Sequence, residues 1–260
     1  MPRAAVIAAA VVLLVAARAG GAAAASTVAG ALAAGDAAAA RFDLPATLAA
    51  YRAAHAAAPE NYEAAWKLAR ALVDEATLAH DPDEQKRLCV EAEALAREAV
   101  RLRPSDPMGH DMLAVSLGKL ALFEGGKRKV ELGKEVRAEA DRALQLDPDD
   151  DLALHVLGVW NREVAGLGWV LRGFARLLYG KLPPASLAAA TADLTRAVEL
   201  RPEVIAHRVE LGITLEAAGR WADAKAQFDR ALALPTGWVT DDHYRAVARK
   251  ELALVRAHLR

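Results

Sequence analysis

The fold is decided by the stretch Leu211-Gly-Ile-Thr-Leu-Glu-Ala-Ala-Gly-Arg-Trp221-Ala-Asp-Ala-Lys-Ala-Gln-Phe-Asp-Arg-Ala231-Leu-Ala-Leu-Pro235. Small and large apolar residues recur in it at helical spacing, and Gly219 divides it into two halves. Glycine and alanine let paired helices approach closely, while Trp221 and Phe228 are large enough to fill the gaps between neighbours. Proline lacks an amide hydrogen, so Pro235 stops the second half. The stretch therefore predicts a hairpin of two helices.

The end of this hairpin recurs along the chain as a short helical phrase that proline terminates. The copies are Arg97-Glu-Ala-Val-Arg-Leu-Arg-Pro104, Asp141-Arg-Ala-Leu-Gln-Leu-Asp-Pro148, Thr195-Arg-Ala-Val-Glu-Leu-Arg-Pro202 and Asp229-Arg-Ala-Leu-Ala-Leu-Pro235. The last unit is similar to a tetratricopeptide repeat in its order of small and large residues and in its period of ~34 residues. The chain is therefore predicted to be all-α, a tetratricopeptide-repeat solenoid of helical hairpins.

The earlier units are longer than the last one between their two landmarks. This spacing predicts insertions between the two helices of a repeat, near Thr77-Glu84, Glu124-Lys134 and Gly166-Ser186. Leu44 to Pro59 is interpreted as a solitary second helix, and Asp242 to Leu259 as a C-terminal helix that caps the stack. Residues 42–260 are therefore predicted to form one repeat domain.

The N-terminus has the pattern of a secretory signal. Arg3 precedes an uncharged run from Ala4 to Ala17, and small residues follow in Ala17-Arg18-Ala19 and Ala23-Ala24-Ala25. We expect residues 1–25 to be a signal peptide, or a retained N-terminal anchor, and residues 26–41 to be an alanine-rich linker. The chain is therefore expected to be exported, to the periplasm or outside the cell.

Composition excludes several function classes. The 33 Lys plus Arg residues balance 34 Asp plus Glu residues, so we expect no nucleic-acid partner. Cys89 is the single cysteine, which rules out an internal disulfide, and its apolar surroundings predict a core residue. Gly125 to Lys134 has glycines before lysine, but its spacing and the missing hydroxyl at Glu135 argue against nucleotide binding.

No motif in the sequence predicts a catalytic or metal-binding site. The seven histidines include no His-Glu-x-x-His pair, and no serine lies in a nucleophile elbow. The acidic run Asp147 to Asp151 is interpreted as a helix start. We therefore expect no enzyme activity, no catalytic residue, no metal and no cofactor.

The order of the insertions resembles that of the regulator of microtubule dynamics family, here as a bacterial-type exported member. Local phrases carry the likeness after the signal: Trp66-Lys-Leu-Ala-Arg-Ala71, Gly126-Lys-Arg-Lys-Val-Glu-Leu-Gly-Lys134, Leu157-Gly-Val-Trp160, Leu178-Tyr-Gly-Lys-Leu-Pro-Pro-Ala-Ser186, Leu234-Pro-Thr236 and Asp241-Asp242. The resemblance implies a binding module without catalytic residues. Animal members are described as microtubule-associated or organelle-contact proteins, and a domain of this kind is linked to phospholipid binding.

Two kinds of binding site are predicted. In tetratricopeptide proteins the first helix of each repeat lines a concave groove, which is expected to hold an unidentified protein or peptide segment. The predicted groove residues are Trp66, Arg70, Asp111, Val115, Lys119, His155, Arg162 and Ile213.

The alternative is a phospholipid-binding or lipid-carrying module. In the third insertion Trp169, Arg172 and Arg176 share one helical face, which would suit an anionic head group. The basic cluster Lys127 to Lys129 is interpreted as a solvated turn, with an anionic lipid surface or an acidic partner as the alternative.

Overall fold

A computed structural model of the protein describes residues 27–167 and 184–260. These two ranges contain eleven α-helices and no strand. The helices are α1 (27–39), α2 (Leu44–Ala57), α3 (Tyr62–Leu78), α4 (Pro82–Leu102), α5 (Pro107–Leu120), α6 (Gly126–Leu146), α7 (Asp151–Gly166), α8 (Leu187–Leu200), α9 (Ile205–Ala217), α10 (Trp221–Ala233) and α11 (Asp241–His258).

The helices form successive antiparallel hairpins. Helices α3 and α4, α5 and α6, α7 and α8, and α9 and α10 pair with one another, and each second helix also packs on the first helix of the next hairpin. The first helices α3, α5, α7 and α9 contact each other in turn along the stack and form its inner layer. The predicted all-α solenoid of helical hairpins is confirmed.

Glycine brings the two helices of a hairpin into contact. In the last hairpin the fully buried ring of Phe228 packs against Gly212, and a Cβ atom placed on Gly212 would lie 2.5 Å from Cε1 of that ring. In the third hairpin Gly158 packs in the same way on Leu194, whose Cγ would lie 2.4 Å from the added Cβ atom. The glycine and the large apolar residue of each of these two hairpins therefore pack against each other, as the sequence predicts.

The first two predicted insertions lengthen helices. Helices α4 and α6 have 21 residues each, against 13 in α10. Asp81 caps the N-terminus of α4 through the amide of Asp83, and Pro82 follows it in the first turn. The segment predicted as an insertion near Thr77-Glu84 is thus a short turn between longer helices, while the third insertion lies largely outside the described residues.

The alanine-rich segment is a helix, which corrects the prediction of a linker at residues 26–41. Val28 and Leu32 of α1, four residues apart, are buried in the main core. The Tyr51 hydroxyl donates to Asp36 Oδ1 at 2.7 Å, and Lys67 Nζ lies 2.7 Å from the same oxygen. Alanine favours helix, and Val28 and Leu32 supply an apolar stripe. Helix α2 is therefore not solitary, because α1 pairs with it.

The C-terminal helix caps the stack as predicted. Helix α11 packs on α9 and α10, and its buried Ala248, Leu252 and Val255 complete the second core cluster. Cys89 is buried in the main core, as predicted, and burial raises the pKa of its thiol. Within residues 27–167 and 184–260 no helix is both long and apolar enough to cross a membrane.

Candidate functional site

Charged side chains from four helices meet on the inner layer. We call this surface the inner face; it consists of Trp66, Arg70 and Asp74 of α3, Lys119 of α5, His155 and Arg162 of α7, and Glu210 of α9. Lys119 interacts electrostatically with both Asp74 and Glu210, and His155 with both Lys119 and Arg162. The structure thus brings together five of the predicted groove residues: Trp66, Arg70, Lys119, His155 and Arg162.

The connection between α10 and α11 reaches across to the inner face. We call residues 234–240 the strap. The indole Nε1 of Trp238 donates to both oxygens of Asp74, at 3.0 and 3.1 Å. The Trp238 ring also covers the guanidinium group of Arg70, with Cζ 4.0 Å from the ring centroid. The side chain of Trp238 therefore contacts two residues of α3.

Helix α11 gives the strap its shape. The backbone amides of Gly237 and Trp238 both donate to Asp241 Oδ2, at 2.7 and 2.8 Å. Arg245 donates to Thr236 Oγ1 and to the carbonyl of Leu234, each at 2.9 Å. Asp241 and Arg245 are both buried, so the strap is a preformed loop that presents Trp238 to α3.

A cavity of about 390 Å³ lies between the strap and the first three helices. Aromatic and charged side chains share its lining, which includes Asp36, Phe42, Trp66, Lys67, Arg70 and Trp238. Phe42 has a left-handed backbone, with φ of 59°, a conformation that a residue with a bulky side chain rarely adopts. The cavity has the size of a small-ligand or side-chain pocket.

Two basic groups of the inner face have no salt bridge to a described residue. Burial is the main cause that lowers the pKa of both Lys119 and Arg70, and the charge of Asp74 acts in the opposite direction on each. The nearby Asp74 carboxyl is mostly buried, and burial raises its pKa to about 6 despite the indole hydrogen bond and the charges of Arg70 and Lys119. The α3 and α5 side of the inner face can therefore accept an additional anion.

The α7 and α9 side is satisfied internally. Arg162 Nη1 lies 2.7 Å from Glu210 Oε2 and 3.2 Å from Thr214 Oγ1. His155 Nδ1 lies 2.9 Å from Nδ1 of His207, whose Nε2 is 2.7 Å from Asp151 Oδ2. Burial, and then the charges around it, hold the pKa of His155 well below its usual value. His155 is thus the partly buried helix residue that its position on the repeat indicates.

Asp111 does not lie open to a partner, which corrects its prediction as a groove residue. Its side chain is 1% exposed, because the turn that starts α7 folds over it. Burial is the largest cause that raises its pKa to about 9, followed by the neighbouring Asp150, Asp151 and Asp147. Asp150 caps α7 through the amides of Leu152 and Ala153, as the acidic run predicts. Within the described residues no three histidine, cysteine, aspartate or glutamate side chains are arranged to hold a metal ion.

The remaining predicted residues divide between exposed, buried and undescribed positions. Val115 and Ile213 pack against the two hydrophobic cores. Lys127, Arg128 and Lys129 are exposed in the first turn of α6, where Glu131 pairs with the first two. The predicted head-group residues Trp169, Arg172 and Arg176 lie outside the described residues.

Sequence reasoning did not find Asp74, Glu210 or Trp238. Asp74 could have been found, because it lies four residues after Arg70 on the same helical face. Glu210 directly precedes the Leu211-Gly212 landmark. No local signal places Trp238 against α3, since the contact joins residues 164 positions apart.

The fold has a solved counterpart. The protein TTC0263 of Thermus thermophilus, a thermophilic tetratricopeptide protein, superimposes with a TM-score of 0.62 at 18% identity. The match covers 86% of this chain and 99% of that one. At this identity the likeness concerns the fold alone.

Sequence comparison identifies the family. Regulator of microtubule dynamics protein 3 of Xenopus laevis is 30% identical over 143 residues, which is 55% of this chain and 31% of that protein. Regulator of microtubule dynamics protein 1 of Bos taurus is 30% identical over 144 residues, 55% of this chain and 45% of the relative. The matches thus span less than half of these curated relatives. The family described as Regulator of microtubule dynamics protein 1-3 matches residues 32–256, and the chain belongs to that family.

Proposed function

We propose that the protein is a non-catalytic scaffold that binds an extended segment of a partner protein along its inner face. The observation that carries the proposal is the strap, a loop of this chain that already rests on Arg70 and Asp74 through the side chain of Trp238. A surface that holds a segment of its own chain through side-chain contacts is suited to hold a segment of a partner.

The charge of the inner face favours an acidic segment. Arg70 and Lys119 lack salt bridges to described residues, whereas Arg162 is already paired with Glu210. A partner carboxylate near α3 and α5 would satisfy a half-buried cation in surroundings where screening by water is reduced. Because the helices hold these groups in place before binding, little protein entropy is lost when the segment binds.

The alternative of a phospholipid-binding module is less well supported. The predicted head-group residues lie outside the described residues, and the cavity beside the strap combines apolar lining residues, such as Phe42, Leu44 and Val239, with the charged Asp36, Lys67, Arg70 and Asp74. Native mass spectrometry of detergent-free protein separates the two. A stoichiometric phospholipid would favour the lipid module, and a bare mass would favour the scaffold.

The names of the relatives refer to microtubule dynamics. Since the matched region is 31% of the Xenopus laevis protein and 45% of the Bos taurus protein, we carry over to this chain only the role of a binding scaffold.

Selection of random peptides displayed on phage tests the proposed function. Wild-type protein, Lys119→Glu and Arg142→Glu are each used as bait; Arg142 is exposed on the outer helix α6 and provides the matched control. We expect selected peptides to be rich in acidic residues, to bind wild type and Arg142→Glu alike, and to bind Lys119→Glu at least tenfold more weakly. Equal binding to all three proteins, or no enrichment at all, would contradict the proposal.

A further inference from the structure

The strap contacts α3 through the side chain of Trp238, and these contacts are specific for an indole. Asp74 accepts from Nε1 of Trp238, a donor that phenylalanine lacks and that tyrosine carries at a different reach. The Arg70 guanidinium lies against the face of the same ring, where it is attracted by the π electrons. Asp74 and Arg70, one helical turn apart on α3, therefore form a site for a tryptophan side chain.

The surroundings leave room for more than the strap. The cavity of about 390 Å³ continues from Trp238 past Trp66 to Asp36 and Phe42 on the other side. This is the volume of several side chains, so a segment seated at the Trp238 position could continue into it. Lys119, on the neighbouring helix, lies close enough to Asp74 to lower the pKa of that carboxyl.

We propose that Arg70 and Asp74 recognise a tryptophan in an acidic partner segment, and that Trp238 occupies this site in cis until such a segment displaces it. This inference rests on the proposed function and deepens it, because it names the partner's side chain and gives the strap a regulatory role. The strap is suited to compete because Asp241 and Arg245 hold it in one shape close to the site, which gives Trp238 a high effective concentration.

The test uses a fluorescent peptide of residues 233–242, which spans the strap and the first two residues of α11 and carries one tryptophan and two aspartates. Its binding is measured by anisotropy to wild-type protein, to Trp238→Ala and to Trp221→Ala. Trp221 is a half-buried indole stacked on His258 at 4.0 Å, away from Asp74, and serves as the matched control. We expect Trp238→Ala to bind the peptide at least tenfold more tightly than the other two proteins.

Two further measurements identify the site. The same peptide with alanine in place of tryptophan should lose at least tenfold in affinity for Trp238→Ala, and so should the native peptide for Trp238→Ala combined with Asp74→Asn. If Trp238→Ala retains its helical circular dichroism but binds both peptides equally, the inference is wrong. Phage-selected peptides that still depend on Lys119 would then leave the proposed function standing.

If a variant does not fold, hydrogen exchange measured on the wild-type protein provides the test instead. The indole N–H of Trp238 donates to Asp74, and its hydrogen should exchange slowly. Saturating tryptophan peptide should accelerate exchange of this indole hydrogen at least fivefold by displacing Trp238 from Asp74, while the alanine peptide should not. Unchanged exchange with both peptides would overturn the proposal.

Discussion

Gly212 lies against the aromatic ring of Phe228, so closely that a single added methyl group would come within 2.5 to 2.8 Å of three ring atoms. The ring has no exposed surface and is enclosed by α9, α10 and α11. The ring is therefore enclosed on all sides, and its contact with Gly212 is one of those that set the close spacing of the last hairpin.

Gly212→Ala is expected to lower the free energy of unfolding by about 1–3 kcal/mol, because the added methyl group overpacks a filled core. Chemical denaturation measures the loss. Gly30→Ala is the control, since a Cβ atom there meets nothing within 4 Å and Gly30 lies inside helix α1. That substitution should raise stability by about 0.5–1 kcal/mol through helix propensity. Equal effects of the two substitutions would contradict this account of the packing.

Asp111→Asn is expected to stabilise the protein increasingly as the pH rises above about 4. The pKa of Asp111 is raised from 3.8 to about 9 in the folded state, so between these values the folded protein binds a proton that the unfolded chain releases. This proton uptake lowers stability by ~1.4 kcal/mol for each pH unit, up to the folded pKa. The variant should exceed wild type by at least about 2 kcal/mol at pH 8, with the difference vanishing near pH 4.

Denaturation midpoints measured from pH 4 to 9 test whether Asp111→Asn becomes more stable relative to wild type as the pH rises. Asp83→Asn removes an exposed carboxylate from the first turn of α4 and serves as the matched control for the loss of one negative charge. A stability difference between Asp111→Asn and wild type that stays constant between pH 5 and 8 would rule out a protonated Asp111.

Arg162→Ala is expected to cost about 1–3 kcal/mol of stability, because it leaves the carboxylate of Glu210 unpaired in partly buried surroundings. The side chains of Arg162 and Glu210 are 13% and 17% exposed. The pair of Arg196 and Asp149 has the same distance of 2.7 Å but is 49% and 67% exposed, so Arg196→Ala should cost much less stability than Arg162→Ala. Thermal unfolding of the two variants side by side makes the comparison, and equal costs would show that burial does not strengthen the Arg162 pair.

Export remains a prediction of the sequence. The basic start, the uncharged run from Ala4 and the small residues before Ser26 are typical of a cleaved secretory signal. N-terminal sequencing of protein from the native source should find a start between about residues 20 and 27. A start at Met1 or Pro2 would show that the segment is not removed.

Local patterns were sufficient to predict the hairpins. Each terminating proline and each Leu-Gly or Leu-Ala landmark acts within one or two helical turns, so the boundaries of α9, α10 and α11 follow from neighbouring residues. Helix α1 was missed because its alanine-rich sequence, although favourable to helix, carries only a weak apolar stripe, formed by Val28 and Leu32. Burial against α2 and α3 decides the position of these two residues.

The candidate site was predicted only in part, and the reason is distance along the chain. Arg70, Lys119 and Arg162 share the face of their helices that the repeat pattern indicates. Asp111 shares that face too, yet the turn before α7 covers it, and helical spacing carries no information about a covering turn. The contact of Trp238 with α3 depends on the curvature accumulated over all the hairpins between them.

That contact changes the mechanics of the stack. An open solenoid behaves like a spring, because each unit touches only its neighbours and small changes of angle add up along its length. The contacts of Trp238 with Asp74 and Arg70 join α3 to the connection before α11, so these three residues bear the force when the stack is stretched. Under a stretching force these contacts are expected to break first and in a single step, after which the hairpins separate gradually.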